Sequence, residues 1–447
     1  MPDAFEENII GVQNLVESGM NKTLVDEEDP VGELTDILKL PMSDNELLDL
    51  QDEWRSKHDG YYPKIKPRQE RNKLYYTGKQ KQSGLQTDKV VPSNLIFEAQ
   101  ETFLPQALSK NPEPVVWSDD EEDGKAAAND VKTMLQYHAD VLCLRRKLGV
   151  ALRHWSIYLV GVLKHGWDEK VNDICTEVRK PQNFIWDPDG YIDEYGNYCG
   201  AFLGEKIEKK AQDLIDLFPK KRDEIIVECD GKLGTPIVYT EWWTDDYCFS
   251  TFKRIVLDKH KNEFFNYETN EGDTVTPGQN HFARPKMPYT FLSVFSLQEH
   301  PHDETNLIEQ NIPNQDDINE QDYQVSRNLR NGNNSIALSG QSFDKETASQ
   351  AARALEDGDP VLVPDGQVEN AIKRIPAANL PPGLLESLQV KKDTLRSVFG
   401  TQGITATQQD ENQTARGMIL NQNNDSTRIG GGVGDALEQV ADNVFNW

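Results

Sequence analysis

The stretch Leu384–Gly417, LLESLQVKKDTLRSVFGTQGITATQQDENQTARG, decides how the chain is interpreted. Large apolar side chains recur in it near the 3.6-residue period of an amphipathic helix, at Leu384, Leu388, Leu395 and Phe399. Gly400 stands where such a helix ends, because glycine adopts the left-handed conformation of a C′ residue at little cost. The sequence therefore predicts a helix that ends at Gly400, a polar loop over 401–413, and a second helix from about Thr414.

The polar loop contains neither lysine nor arginine, and Ile404 is its only large apolar side chain. It can neither fill a core nor hold phosphate firmly. Its other notable residues are small or polar: Thr401, Gln402, Gly403, Thr405, Gln408, Gln409 and Asp410. In an arbitrary protein, the simplest interpretation is a surface loop between two helices, since connecting segments normally run over the surface.

Composition limits the classes of function. At 447 residues, the chain exceeds the usual size of one core, which predicts two or more structural units. The net charge of −28 argues against stable nucleic-acid binding, which depends on neutralising phosphates. That charge is compatible with a channel through which DNA slides without sticking. Hydrophobic residues are 37% of the chain, which indicates an elongated shape or large polar interfaces.

The cysteines and the hydropathy bear on the compartment. Five cysteines lie far apart and form no CxxC pair, a pattern typical of reduced thiols in a cytosolic protein. The N-terminus is acidic and lacks the long apolar run of a signal peptide. No run of 18 apolar residues occurs, so no membrane association is expected.

Residues 1–42 are acidic and weakly patterned, which predicts an N-terminal arm. Ser43 and Glu46 then match a capping box, and Met42 with Leu47 a hydrophobic staple, so a helix is predicted from Ser43 to about His58. The basic, tyrosine-rich stretch 61–81 follows. It is either a solvated face or a contact with an acidic neighbouring subunit, or it binds single-stranded nucleic acid through its aromatic rings.

The middle of the chain predicts helices followed by strands. Prolines at 105, 112 and 114 divide one segment into a helix and an extended piece. The acidic run 118–123 precedes a helical pair, whose second member is predicted over Arg145–Lys164. The β-branched and aromatic stretch 237–267 predicts a meander of two to three strands, and 286–297 predicts another strand.

The segment Glu304–Arg330 is helical in character but strongly polar, and Pro313 is expected to interrupt it. A helix this polar is not expected to be buried in an ordinary monomer core, so it should bridge domains or line a wet interface. After it, NGNNSIALSG (331–340) and DPVLVPDG (359–366) predict two short strands flanking a helix over Lys345–Glu356.

No catalytic constellation is recognisable in the sequence. The glycine-rich GGGVGD (430–435) lacks the Lys-Ser/Thr of a phosphate loop. His300 and His302 lack the partners of a metal site, and Asp187 with Asp189 lies in a turn-forming Asp-Pro-Asp-Gly context. We therefore expect no catalytic residues, no metal site and no cofactor.

The succession of segments resembles the portal, or head-to-tail connector, proteins of tailed bacteriophages. The resemblance covers most of 43–447 and rests on order more than on one sharp motif. Its segments are RNKLYYTGKQ, VVPSNLIFEAQETFLPQAL, NPEPVVW, HWSIYLVGVLKHGWD, PQNFIWDPDG, EWWTDDY, RPKMPYTFL, the polar Gln315–Asn319 run, LRSVFG and ENQTARG.

The resemblance implies an α+β portal fold with seven parts. These are an N-terminal acidic arm (1–42), an α/β wing (43–303), stem helix 1 (304–331), a small α/β clip (332–379), stem helix 2 (380–399), a tunnel loop (400–413), and a C-terminal wing helix or the start of a short or truncated crown (414–447). Gly400 and Gly403 would be hinges of the tunnel loop, and Lys391 with Lys392 would lie on the stem by the channel.

The implied function is structural: a ring of about twelve copies that conducts double-stranded DNA at one capsid vertex during genome packaging, retention and ejection. The implied partners are capsid and scaffolding proteins, the terminase, and neck, adaptor or tail proteins. The implied location is the virion, after assembly in the host cytoplasm. Two alternatives stay open, a terminase-like DNA-packaging hydrolase and a different neck or capsid protein.

Overall fold

The structure is a computed structural model. It describes residues 42–80, 93–108, 113–118, 123–168, 172–193, 196–262, 267–268, 274–275, 287–334, 336–340, 343–357, 361, 363, 371–374, 383–401 and 430–446. The predicted arm up to residue 41, Lys81 at the end of the basic stretch, the polar loop beyond Thr401 and the predicted helix start at Thr414 lie outside these residues.

The first described helix, α1 (Asp44–Tyr76), begins with the predicted capping box. The Ser43 backbone N–H donates to Glu46 Oε2 over 2.8 Å, and the Glu46 N–H donates to Ser43 Oγ over 3.4 Å. Met42 packs against the cluster that contains buried Leu47, as the predicted staple requires. The sequence therefore determines the start of α1 through local contacts alone.

The prediction that α1 ends near His58 is wrong, because the helix continues through Pro63 and Pro67 to residue 76. Each internal proline costs about 3 kcal/mol, since it removes a hydrogen bond and crowds the preceding turn. Both prolines lie on the exposed side. The opposite side of the same turns is buried, at Ile65, Gln69, Asn72 and Tyr75. Tertiary packing on that side offsets the local cost.

Three further helices precede the sheets: α2 (Leu95–Ala107), α3 (Asp123–Val141) and α4 (Leu144–Tyr158). The predicted span of α4, to Lys164, is too long by about two turns. Leu159 closes the helix in a left-handed conformation, with φ at 75°. Gly161 then starts a strand so close to α4 that a Cβ atom there would lie 2.5 Å from the Ala151 carbonyl oxygen. The glycine permits this tight reversal, which helical periodicity does not reveal.

Two antiparallel sheets form the centre of the chain. The first has the order β12-β1-β2 and consists of β1 (Gly161–Asp168), β2 (Asp173–Arg179) and β12 (Tyr289–Leu292). The second has the order β3-β6-β7-β8-β9 and consists of β3 (Phe184–Trp186), β6 (Leu203–Lys210), β7 (Pro236–Trp243), β8 (Tyr247–Phe252) and β9 (Ile255–Lys261). The predicted meander is confirmed as β7–β9, and the separate strand as β12.

Shorter elements surround these sheets. They are the hairpins β4 (Tyr191–Ile192) with β5 (Tyr198–Cys199) and β10 (Tyr267–Glu268) with β11 (Thr274–Val275), and the helices α5 (Ala211–Leu217) and α6 (Arg222–Glu228). The predicted turn is confirmed, since the Gly190 N–H donates to the Asp187 carbonyl over 3.0 Å.

The C-terminal third contains α7 (Leu307–Asn334), β13 (Ile336–Leu338), α8 (Lys345–Asp357), β14 (Ile372–Arg374), α9 (Gly383–Phe399) and α10 (Asp435–Asn446). Pro313 lies inside α7, so the expected interruption is wrong. Pro313 is the seventh residue of α7, so it removes one interior hydrogen bond. Burial of Ile312 and Gln315 in the same turns offsets that local cost.

Of the strand predicted over 359–366, only Val361 and Val363 are described, and neither belongs to a strand. The partner of β13 is β14, with Ile336 opposite Arg374. Val361 and Val363 instead pack against a small cluster of Phe343, Ala351 and Ala371. The prolines at 360 and 364 flank these valines and disfavour ladder pairing there. The segment between α7 and α9 therefore has its own small core.

The largest core joins helices from both ends of the chain. It includes Ile96 and Phe103 of α2, Leu148 and Leu152 of α4, Ile308 of α7, Leu395 of α9 and Leu437 of α10. Helices and antiparallel sheets together give the expected α+β class. Among the described helices, none has both the length and the apolar character needed to cross a membrane.

Candidate functional site at the paired helices

Helices α7 and α9 pack side by side and run in opposite directions. Lys391 Nζ of α9 lies 2.8 Å from Asp317 Oδ2 of α7. Four residues earlier on α9, Ser387 Oγ accepts from Gln321 Nε2 over 3.5 Å, four residues later on α7. The β13–α8–β14 segment, which connects the two helices, therefore forms an insertion at the far end of an antiparallel helix pair.

The two lysines predicted at this position are partly engaged within the chain. Lys391 pairs with Asp317, and Lys392 Nζ lies 4.0 Å from Asp322 Oδ1. Both lysines are half-buried. Each pair joins α9 to α7. The charge of Lys391 is balanced at this helix contact, and that of Lys392 only weakly, since its distance is at the limit of an ion pair.

The expectation that the polar helix is not buried in the monomer is wrong for the first half of α7. Polar side chains at Asn311, Gln315 and Asn319 recur at helical spacing, and each is at most 2% exposed. Gln315 Oε1 accepts from the Leu95 and Ile96 N–H groups over 3.1 and 3.3 Å, and its Nε2 donates to the Ser93 carbonyl over 2.7 Å. This amide thus satisfies the first backbone donors of α2.

A second anchor joins α1 to the start of α7. The Arg68 guanidinium donates to both carboxylate oxygens of Glu309, over 3.2 and 2.8 Å, and also to the carbonyls of His302 and Glu304. Fork-shaped pairing of this kind is among the stronger charge-assisted contacts. It fixes the direction in which α7 leaves the sheets.

Three buried histidines lie beside that anchor and form what we call the histidine cluster: His58, His300 and His302. His58 Nδ1 accepts from the Trp186 N–H over 3.1 Å, and His300 Nδ1 lies 3.0 Å from the Tyr61 hydroxyl. His302 is fully buried, and neither of its ring nitrogens has a hydrogen-bond partner among the residues that the structure describes.

Burial lowers the pKa of His58 and of His300 to about 4, and it holds the pKa of His302 well below its usual value. All three rings are therefore neutral near pH 7. The cluster could not be predicted from local patterns, because His58 and His300 lie 242 residues apart in the chain. Among the described residues, no group of side chains has the arrangement to hold a metal ion.

The predicted hinge at Gly400 has the backbone that the prediction requires. Its φ is 72°, a left-handed conformation that only glycine adopts readily. The Thr401 N–H then donates to the Arg396 carbonyl over 2.9 Å, which closes α9. Thr401 itself is fully buried, unlike a lumen-facing side chain. The other predicted loop residues, namely Gln402, Gly403, Ile404, Thr405, Gln408, Gln409 and Asp410, lie outside the described part of the chain.

Three of the four tyrosines in the basic stretch are held by hydrogen bonds to acids of other elements. The Tyr61 hydroxyl donates to Asp303 over 2.9 Å, the Tyr75 hydroxyl to Asp316 over 2.5 Å, and the Tyr76 hydroxyl to Glu101 over 2.7 Å. The fourth tyrosine, Tyr62, is half-buried and donates to Gln69 within α1. These contacts hold the four rings against the molecule, which disfavours the single-strand interpretation.

One arrangement that sequence reasoning missed has the composition of a nucleophilic site. Cys248 of β8 faces His260 of β9 across the ladder, with Sγ 2.8 Å from Nε2, and His260 Nδ1 lies 3.6 Å from Asp258 Oδ2. The thiol is only 3% exposed and packs in a core cluster with Trp243 and Tyr289. Because a substrate cannot reach it there, we interpret it as a structural contact.

A buried ion network between the two sheets is likewise structural. Lys164 Nζ lies 2.8 Å from Glu205 and 2.5 Å from Glu241, and Arg179 Nε lies 3.0 Å from Glu205. The Tyr289 hydroxyl donates to Glu205 over 2.7 Å. Each buried carboxylate thus has cationic or hydroxyl partners, as burial of charge requires.

Comparison with known proteins adds no relative. No protein-family model matches the chain, and no curated protein matches it.

Proposed function

We propose that the chain is the portal protein of a tailed bacteriophage, a non-enzymatic subunit of a ring of about twelve copies that conducts double-stranded DNA. The ring would form at one capsid vertex with capsid and scaffolding proteins. It would dock the terminase during packaging, then bind neck, adaptor or tail proteins, and later release the genome.

The observation that carries the proposal is the α7–α9 pair with its insertion. Two antiparallel helices that enclose a small α/β unit with its own core match the stem-and-clip arrangement implied by the sequence resemblance. The wing would then be the sheets with α1–α6. α10 contributes Leu437 and Val440 to the main core, in keeping with a C-terminal wing helix.

The distal half of α7 supports an intersubunit role for the stem. Beyond residue 320, the described residues of α7 are mostly polar and are half-buried or exposed, and Leu329 is 58% exposed. In the proposed ring, this surface is available for head-to-tail contacts with a neighbouring copy. The buried amides of the first half hold α7 in place within the monomer, so the distal half would project from a fixed base.

The tunnel loop would follow α9 directly. The left-handed Gly400 ends the helix, and Thr401 is buried against it. The lysine- and arginine-free sequence 402–413 would project toward moving DNA without a counterion-releasing grip. Lys391 and Lys392 would line the stem, with their charge partly balanced by Asp317 and Asp322.

Deleting the clip tests the proposal. A chain lacking 332–379, with a short glycine–serine connection, should fold its wing but fail to support packaging or tail joining in a complementation assay. The wing is checked by the thermal unfolding midpoint of the variant. Normal packaging by the deletion contradicts the assignment, whereas ATP hydrolysis by the purified full chain would favour the terminase-like alternative.

A further inference from the structure

The exposed side of α1 carries a surface whose charge is opposite to that of the chain as a whole. Lys64 and Arg71 lie one heptad apart along one border of this side, and Lys66 and Lys73 lie one heptad apart along the other. Between the two borders runs an exposed apolar strip of Pro63, Pro67 and Leu74. We call these seven residues the basic face. It does not depend on the proposed function.

The cations of the basic face are weakly engaged in the described part of the chain. Lys66 Nζ lies 4.0 Å from Glu70, and Arg71 lies 4.0 Å from Glu309, both at the limit of an ion pair. No ion pair of Lys64 or Lys73 occurs among the described residues. Leu74 is 44% exposed between them. The face therefore offers four cations and one exposed acid, Glu70, around an uncovered apolar strip.

The same chain contains a segment of matching chemistry. Residues 25–38, VDEEDPVGELTDIL, hold six carboxylates and no lysine or arginine. Its apolar residues are interspersed with those acids: Val25, Val31, Leu34, Ile37 and Leu38. A segment with both acidic and apolar side chains complements an apolar strip flanked by cations. Its apolar side chains bury the strip, and its carboxylates pair with the cations.

The segment is close enough to reach the face within one molecule. Ser43 to Lys64 spans about 30 Å along α1, at about 1.5 Å per residue. The residues from Asp29 to Ser43 can extend over up to about 45 Å. The chain can therefore turn back at the start of α1 and run along the helix.

Nucleic acid is the less suitable occupant. The tyrosines that could stack on bases are hydrogen-bonded to Asp303, Asp316 and Glu101. The net charge of −28 repels a polyanion that approaches from solution. A tethered segment of the chain is already at high local concentration and needs no long-range attraction.

We propose that residues 25–38 dock on the basic face of α1 in the same chain. The carboxylates pair with Lys64, Lys66, Arg71 and Lys73, and the apolar side chains cover Leu74 and the two prolines. The docked segment gives this side of the molecule an acidic exterior. It covers the basic face, so acidic partners cannot bind there.

Hydrogen exchange on the full chain tests the proposal. Amides of 25–38 should exchange more slowly at low salt than at 1 M salt, because screening weakens exposed ion pairs. Reversing four charges, with Lys64→Glu, Lys66→Glu, Arg71→Glu and Lys73→Glu, should reduce the protection about tenfold, since four surface pairs of ordinary strength amount to about one factor of ten.

A matched control reverses four exposed cations elsewhere, with Lys125→Glu, Arg145→Glu, Lys220→Glu and Lys232→Glu. It should retain the protection, which separates local pairing from net charge. Reversing Asp26, Glu27, Glu28 and Asp29 to lysine in the first variant should restore protection. The substitutions on α1 and at the control positions alter exposed residues. An unchanged thermal midpoint confirms that each variant folds.

Carbodiimide crosslinking identifies the partners directly. Lys64, Lys66 and Lys73 should join acids of 25–38, and exposed Lys232 should not. Absent protection in the unaltered chain, equal protection in the face variant, or crosslinks formed only between labelled and unlabelled chains in a mixture would each overturn the proposal. So would tight binding of a 20-base-pair duplex that the face variant loses.

Discussion

Replacing Gln315 with alanine should destabilise the chain by about 3 kcal/mol. The buried amide makes four hydrogen bonds: to the Leu95 and Ile96 N–H groups, the Ser93 carbonyl and, over 3.0 Å, Asn319 Oδ1. At about 1 kcal/mol net for each bond, the loss is about 4 kcal/mol. Entry of water into the vacated space recovers part of this loss, which leaves about 3 kcal/mol.

The effect is local as well as global, so it can be measured in two ways. Urea unfolding followed by tryptophan fluorescence reports the change in stability. Hydrogen exchange reports the Leu95 and Ile96 amides, which should exchange about 100-fold faster, since each 1.4 kcal/mol corresponds to a factor of ten. These are the first N–H groups of α2, and the helix itself offers them no acceptor.

The control is Gln310→Ala on the same helix. Gln310 is exposed, and its side chain donates only to Thr305 Oγ1, over 2.8 Å. Its replacement should change stability by less than about 0.5 kcal/mol. A loss below about 1 kcal/mol for the Gln315 variant, with unchanged exchange at Leu95 and Ile96, would refute the claim that α7 is held by its buried amides.

Three further perturbations have defined outcomes. His302→Phe should flatten the fall in urea midpoint as the pH drops below 6.5. Burial lowers the pKa of His302 in the folded state, so the neutral ring contributes stability above its unfolded pKa and protonation in acid removes that stability. An unchanged slope of the urea midpoint against pH would contradict this. Gly400→Ala should lower stability by about 1 kcal/mol, because alanine resists a φ of 72°, and no loss in the same titration would count against a rigid turn there. Replacing Gln408 and Gln409 with lysine should leave assembly intact but slow packaging, most at low salt where screening is weak; packaging at the normal rate would exclude these positions from the DNA path.

Local signals predicted the ends of elements better than their lengths. The capping box of Ser43 and Glu46, and the left-handed Gly400, depend on neighbours in sequence, so both were recognisable. The length of α1 was not recognisable, because the burial of Ile65 and Tyr75 against other elements stabilises the helix by more than its two prolines destabilise it. Such tertiary contacts leave no local trace.

The candidate site was predicted in outline only. Two helices around a small insertion followed from the pattern. The burial of Gln315 and Asn319 could not be predicted from that pattern. A glutamine or asparagine has the same hydropathy in the sequence whether it bonds to a buried backbone group or to water. The histidine cluster likewise depends on which distant segments meet.

The most direct test of the central claim is the mass and shape of the purified full chain, measured by native mass spectrometry and negative-stain microscopy. The portal proposal predicts a closed ring of about twelve copies with a central channel, and no open helical filaments. Monomers or dimers only, over salt concentrations from about 0.05 to 1 M, would contradict it, because a change in screening over that range would reveal an assembly held by polar contacts.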